Sequence, residues 1–293
     1  MNKRRLLLLV IFCFFGINPC YGLEWKRLHE RADKIDLSVA LFSVQKENGS
    51  IDSLYVLGLA YLSLHKDKEA GEVFNSIIIL DPKVIEAKWG LAEVLRRKHK
   101  NEESEKLLNE VIKSDPEFSP VYISLGYLKY RQMDFNQAVR LAGKVLEQGE
   151  AKVDQTNHVR AHLLRAGAKG MIAHYGGVLS KFINGTAVLP DLKAAEKVQP
   201  DNALVKFGLG SFYLLAPSFA GKDMKKAEEY LKKAVINDPL FADSYVRLGQ
   251  LYKIKGDSAK YKEYLEKALE IDPGNDLALD ISSGRCKFIC VIN

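Results

Sequence analysis

Along most of the chain apolar residues return every three or four positions, the spacing of one buried face of an α-helix. In residues 51 to 82, Leu54, Leu57, Gly58 and Tyr61 form one stripe, and Ala70 and Phe74 form a second before Pro82 ends it. Strict apolar–polar alternation, which marks a strand, does not occur before Lys287 to Ile292. The pattern predicts an all-α protein made of short amphipathic helices.

These helices recur with a period. Asp-Pro stands at Asp81-Pro82, Asp115-Pro116, Asp238-Pro239 and Asp272-Pro273, with a related Gln199-Pro200, and the steps from 82 to 116 and from 239 to 273 are both 34 residues. The fillings match too: residues 242 to 273 place Tyr245, Leu248, Gly249 and Tyr252 ahead of Leu265, Ala268 and Pro273. The residue types have a physical reason. Gly58 and Ala70 are small enough for two helices to approach closely, Tyr61 and Phe74 fill the space beside them, and Pro82 cannot continue the second helix.

This spacing resembles the tetratricopeptide repeat (TPR) family, whose unit is a pair of antiparallel helices, A and B. The resemblance implies a right-handed superhelical solenoid of about six helix pairs, two of them with enlarged inter-helix turns. Some units depart from the pattern. Residues 85 to 116 show Ala92 for glycine and Ser104 for alanine, and residues 119 to 150 have Glu150 where proline belongs. The step from Pro116 to Pro200 is 84 residues, two periods plus 16, which fits a degenerate fourth unit from about Arg160 with seven surplus residues before it and nine within it.

The unit from 203 to 239 needs five extra residues between its helices, in Ala216-Pro217 to Asp223. Gly221-Lys222 in that stretch is not a phosphate loop: position 216 is not glycine, position 223 is not Ser or Thr, and no strand precedes it. The enlarged turn from His174 to Pro190 and this one, followed by a regular repeat, are similar in style, more weakly, to the T-component of TRAP-type solute transporters. That resemblance implies a membrane transport complex as partner. It also frames an alternative, a solute-binding accessory with its pocket around Tyr175, Phe182, Pro217 and Phe219.

Composition then bounds the ends. Lys3, Arg4 and Arg5 precede an apolar stretch of 12 residues, Leu6 to Ile17, and then Asn18 to Gly22. A spanning helix needs roughly 20, so residues 1–22 read as an export signal and the protein as periplasmic or secreted, meeting a membrane only through an uncleaved signal. Residues 23–50 follow as an N-terminal helical segment, 51–273 as the solenoid and 274–293 as a C-terminal cap or tail. Without the signal's three Lys and Arg residues the formal charge falls from +6 to about +3, and no basic run interleaved with aromatics argues for nucleic acid. Cys286 and Cys290 remain, too few for a disulfide framework; on a helix their spacing brings them within bridging reach, in a strand it does not. Two unpaired or loosely paired tail thiols are expected.

The family's inward-facing helix-A positions, carried onto this chain, mark Trp89, Glu93, Arg96 and Arg97, then Tyr127, Tyr130 and Arg131, then Phe207 as partner-binding residues. Aromatics beside arginines are the types that concentrate binding energy. His158 and His162, spaced by four, form a weak metal motif, and Asn48-Gly49-Ser50 and Asn184-Gly185-Thr186 read as loops. No nucleophile elbow, H-E-x-x-H or paired-cysteine zinc spacing occurs, and no cofactor is implied. The expectation is a non-catalytic scaffold that binds a protein or peptide along its concave face.

Overall fold

The computed structural model describes residues 24–289, so the export-signal reading of residues 1–22 and Cys290 lie outside the described residues. Two helices open the fold, α1 (Trp25–Ala32) and α2 (Leu37–Lys46). Pairs follow: α3 (Ile51–Ser63) with α4 (Asp67–Leu80), α5 (Ile85–Arg97) with α6 (Asn101–Ser114), and α7 (Pro120–Arg131) with α8 (Phe135–Lys152). Then α9 (Gln155–Tyr175) and α11 (Val188–Val198) enclose the short α10 (Val178–Thr186), α12 (Ala203–Leu215) pairs with α13 (Met224–Asn237), and α14 (Ala242–Ile254) pairs with α15 (Ser258–Ile271). The helix α16 (Asp276–Ser282) closes the series, and among the described residues there is no strand. The architecture is an all-α superhelical solenoid.

The repeated Asp-Pro has a local cause. Asp81, Asp115, Asp238 and Asp272 all end a B helix in extended backbone, the conformation that a following proline favours. Each carboxylate then accepts a hydrogen bond from the backbone N–H two residues on, at 2.9, 2.8, 3.0 and 3.1 Å respectively. The turn from A to B is equally regular: His65, His99 and Met133, one period apart, take left-handed φ of 57°, 59° and 65°. Where Pro is replaced by Glu150, α8 runs on to Lys152 through a kink at Gly149, whose φ is +72°. The seven surplus residues are absorbed in this longer α8 and in α9, which starts at Gln155 rather than near Arg160.

The surplus inside the fourth unit is also helix. Gly176-Gly177 breaks α9, and the stretch to Thr186 winds again as α10, so Asn184-Gly185-Thr186 is helical rather than a loop. The turn after α12 contains one 3₁₀ turn, Ser218–Ala220, and Gly221 at φ +107°; it follows a helix and has no P-loop geometry. No helix among the described residues is long and apolar enough to cross a membrane.

The superhelix closes on itself. His65 meets Asp238 at 2.9 Å and His99 meets Asp272 at 2.8 Å, both pairs 173 residues apart, and Arg131 meets Asp276 at 2.5 Å. The A-to-B turns of the first three units thus touch the ends of the last two. Cys286, expected as an unpaired or loosely paired tail thiol, is disulfide-bonded.

Candidate functional site

The inner face of the first units is occupied by the chain's own N-terminal helix. On α1, Trp25, Leu28 and His29 lie one turn apart and point inward. Trp25 meets Phe118 edge-on at 5.3 Å, the His29 ring lies 5.2 Å from Trp89, and Leu28 is fully buried. Lys26 caps the end of α8 by donating to the carbonyls of Glu150 and Ala151 at 2.8 and 2.9 Å, and Thr156 donates to Asp33 at 2.6 Å. One helical turn thereby ties the first repeats to α9.

At the centre of this contact His29 is buried. Asn157 Nδ2 donates to Asp154 at 2.7 Å, which fixes its amide, and lies 3.1 Å from His29 Nδ1. Nδ1 is therefore the acceptor, and His29 Nε2 carries the proton toward Tyr55 Oη at 2.9 Å. Burial pushes the His29 pKa down to about 4, against the pull of the nearby Asp154 carboxylate and with the help of Arg160.

Beneath it lies a charged layer. Burial by itself would raise the Glu93 carboxyl, but Arg96 and Arg160 hold it well below the usual carboxylate range. Arg96 grips Glu93 through two bonds of 3.0 and 3.1 Å, and Arg160 adds one at 3.1 Å. The Tyr127 ring takes both guanidinium groups, at 5.5 and 5.7 Å from its centroid.

The partner-binding residues expected from the sequence therefore fall into three places. Trp89, Glu93, Arg96 and Tyr127 come together around α1 and α9; Trp89 is 2% exposed and donates from Nε1 to Ser124 Oγ at 2.8 Å, and Glu93 is 3% exposed. Arg97 braces the preceding unit, donating to the Leu62 carbonyl at 2.7 Å and to Asp67 at 3.1 Å. Tyr130 and Arg131 face the C-terminal segment, where Tyr130 stacks on Phe288 at 5.8 Å and Arg131 donates to His99 Nδ1 at 3.0 Å. A cleft of about 270 Å³ stays open there, lined by charges of both signs from Arg131, Asp276, Asp280, Arg285 and Lys287. Phe207 stands apart, edge-on to Phe241 at 5.0 Å.

Three participants were not singled out from the sequence, namely His29, Asn157 and Arg160. The visible signal for the first was the stripe of Trp25, Leu28 and His29 at helical spacing ahead of the repeats. His158 and His162 do meet, edge-on at 5.0 Å, but the carboxylate that meets His162, Asp191, is shared with Arg165 and Lys169. Tyr175, Phe182 and Phe219 are 53%, 70% and 94% exposed, so they stand on the surface rather than around an enclosed solute.

A closed stack of helix pairs with a side-chain-filled inner face defines a helical-repeat solenoid. The tetratricopeptide repeat family model matches residues 242–275, the unit that carries Tyr245, Leu248, Gly249 and Tyr252. A TPR repeat-containing protein of Pseudomonas aeruginosa is 36% identical over 69 residues, which are 24% of this chain and 61% of that relative. The fold is similar to that of a thermophilic TPR protein of Thermus thermophilus, with TM-score 0.56 and 19% identity over 69% of this chain and 99% of that one. A tetratricopeptide repeat protein of Parabacteroides merdae gives TM-score 0.50 and 16% identity, covering 88% of this chain and 97% of that one. Residues 242–275 thus match a tetratricopeptide repeat, and the fold of the described residues is that of a TPR-like solenoid.

Proposed function

We propose that the protein is an exported, non-catalytic scaffold that takes a protein or peptide segment on its inner face. Stacked helix pairs suit that task because each unit adds a few contacts along an extended surface. The observation that carries the reading is α1 itself: a helix bearing Trp25, Leu28 and His29 already lies against Tyr55, Trp89 and Phe118. A face shaped to one helix suits a partner helix of the same character. Glu93, the buried carboxylate of this face, is held ionised by two arginines and so offers no proton near neutral pH.

Of the eight residues all but Trp89 and Glu93 keep part of their surface, and Arg97 and Phe207, far apart along the solenoid, serve as probes. Recovery of a partner from envelope extract is expected to fall with Arg97→Ala/Phe207→Ala at a temperature where the variant, which loses the Leu62 and Asp67 contacts of Arg97, is still fully folded. Undiminished recovery by the folded double variant would remove the inner-face assignment.

A further inference from the structure

The helix α10 is built inside out. Its polar and small residues face the protein: Ser180 donates to the Ile172 carbonyl at 3.1 Å, Asn184 donates to Ser180, and Gly185 lies against Ala173. Its apolar residues face water, with Val178 87%, Leu179 72%, Phe182 70% and Ile183 57% exposed. A surface helix of a globular protein ordinarily does the reverse. The neighbouring unit adds Phe219, 94% exposed, in the turn after α12. Both segments are A-to-B connections of adjacent units, and such connections share one rim of a solenoid.

Charge narrows what can cover this rim. Residues 155 to 190 contain no Asp or Glu, and Lys181 is exposed among the apolar residues of α10. Lys222, Lys225 and Lys226 flank Phe219, and the one carboxylate between them, Asp223, is turned to the N-terminus of α13, where it accepts from the N–H groups of residues 225 and 226. A second copy of the chain would bring Lys181, Lys222 and Lys225 against the same lysines, with Asp223 already paired to Lys226 at 3.9 Å. An exposed apolar ridge edged by lysines is complementary to an anionic bilayer, whose headgroups meet the ammonium groups while the apolar tips enter the acyl boundary.

We propose that α10 and the Phe219 turn seat the protein on the surface of anionic lipid membranes. The proposal is independent of what the inner face binds. It is tested with the full chain by co-sedimentation with phosphatidylglycerol-containing vesicles and with phosphatidylcholine vesicles, for the parent and for Phe182→Ser/Phe219→Ser. The parent is expected to sediment with the anionic vesicles in a salt-sensitive way and far less with the neutral ones. The double variant should lose about tenfold in vesicle affinity while melting like the parent, because both side chains are exposed. Residues 1–22 are present in both proteins, so attachment through them would leave the variant unchanged and overturn the proposal. Equal sedimentation on neutral vesicles, or no sedimentation at all, would also overturn it. So would a concentration-dependent dimer that the variant abolishes, since that would assign the ridge to a second copy.

Discussion

His29 on α1 donates from Nε2 to Tyr55 on α3 across 2.9 Å while its Nδ1 accepts from Asn157 at 3.1 Å, and the second bond exists only while the imidazole is neutral. Because the folded-state pKa is depressed to about 4 from an ordinary 6.5, the unfolded chain binds a proton at higher pH than the folded one. The stability held by neutral His29 is complete above pH 6.5 and is lost as pH falls from there toward 4. The shift corresponds to roughly 3 kcal/mol. His29→Gln is expected to lower stability at neutral pH and to flatten its dependence between those limits. Urea unfolding followed by the fluorescence of Trp25 and Trp89 measures both; a variant with the parent's slope would dissociate His29 from the effect.

Glu93 is the anion for two guanidinium groups in a site where little water reaches. In Glu93→Gln, Arg96 and Arg160 would face each other over Tyr127 without a counter-charge. Removing one member of a buried ionic cluster costs roughly 3–5 kcal/mol, much more than the loss of an exposed pair. Lys129 and Glu105, nearer the surface, provide the comparison: Lys129→Met should cost about 1 kcal/mol or less. Chemical denaturation of the two variants side by side decides it, and equal losses would show that the Glu93 cluster is hydrated.

Phe74 is wedged between two glycines of successive A helices. A Cβ on Gly58 would meet its ring at 2.6 Å and one on Gly90 at 2.5 Å. Gly90→Ala should therefore cost roughly 1–3 kcal/mol by overpacking, although alanine is the better helix former. Phe74→Leu in the same chain should recover part of the loss, so a double-mutant cycle is expected to show coupling between the two positions. Additive effects would mean that the ring moves aside without cost.

These contacts show which parts of the molecule could be read in the sequence. Gly58 belongs to the recurring pattern and its role against Phe74 was readable; Gly90 lies outside it, because its partner comes from the preceding unit. Helix positions and Asp-Pro turns follow from periodicity, which is a local property, and the inward set on α5 and α7 was carried over from the resemblance to the repeat family. What covers the inward set is not local. Asn157 meets His29 across 128 residues and His99 meets Asp272 across 173, and no repeat period encodes either pairing. The α10 stretch read as a turn because Gly176-Gly177 interrupts the pattern and nine residues are too few to establish a helical period.

Seated α1 and a partner helix compete for the inner face. If a partner helix takes the place of α1, its apparent affinity is the intrinsic one multiplied by the fraction of molecules in which α1 is unseated. Trp25 and Leu28 contribute to that seating, and neither belongs to the repeats, so Trp25→Ala/Leu28→Ala should loosen α1 and leave the solenoid intact. Partner recovery is then expected to rise, opposite in sign to the loss from Arg97→Ala/Phe207→Ala, and proteolysis should cut first between α1 and α3. A fall in recovery with the loosened helix would instead make α1 a fixed wall of the site, and the partner would have to bind beside it, toward Tyr130, Arg131 and the open cleft at Asp276.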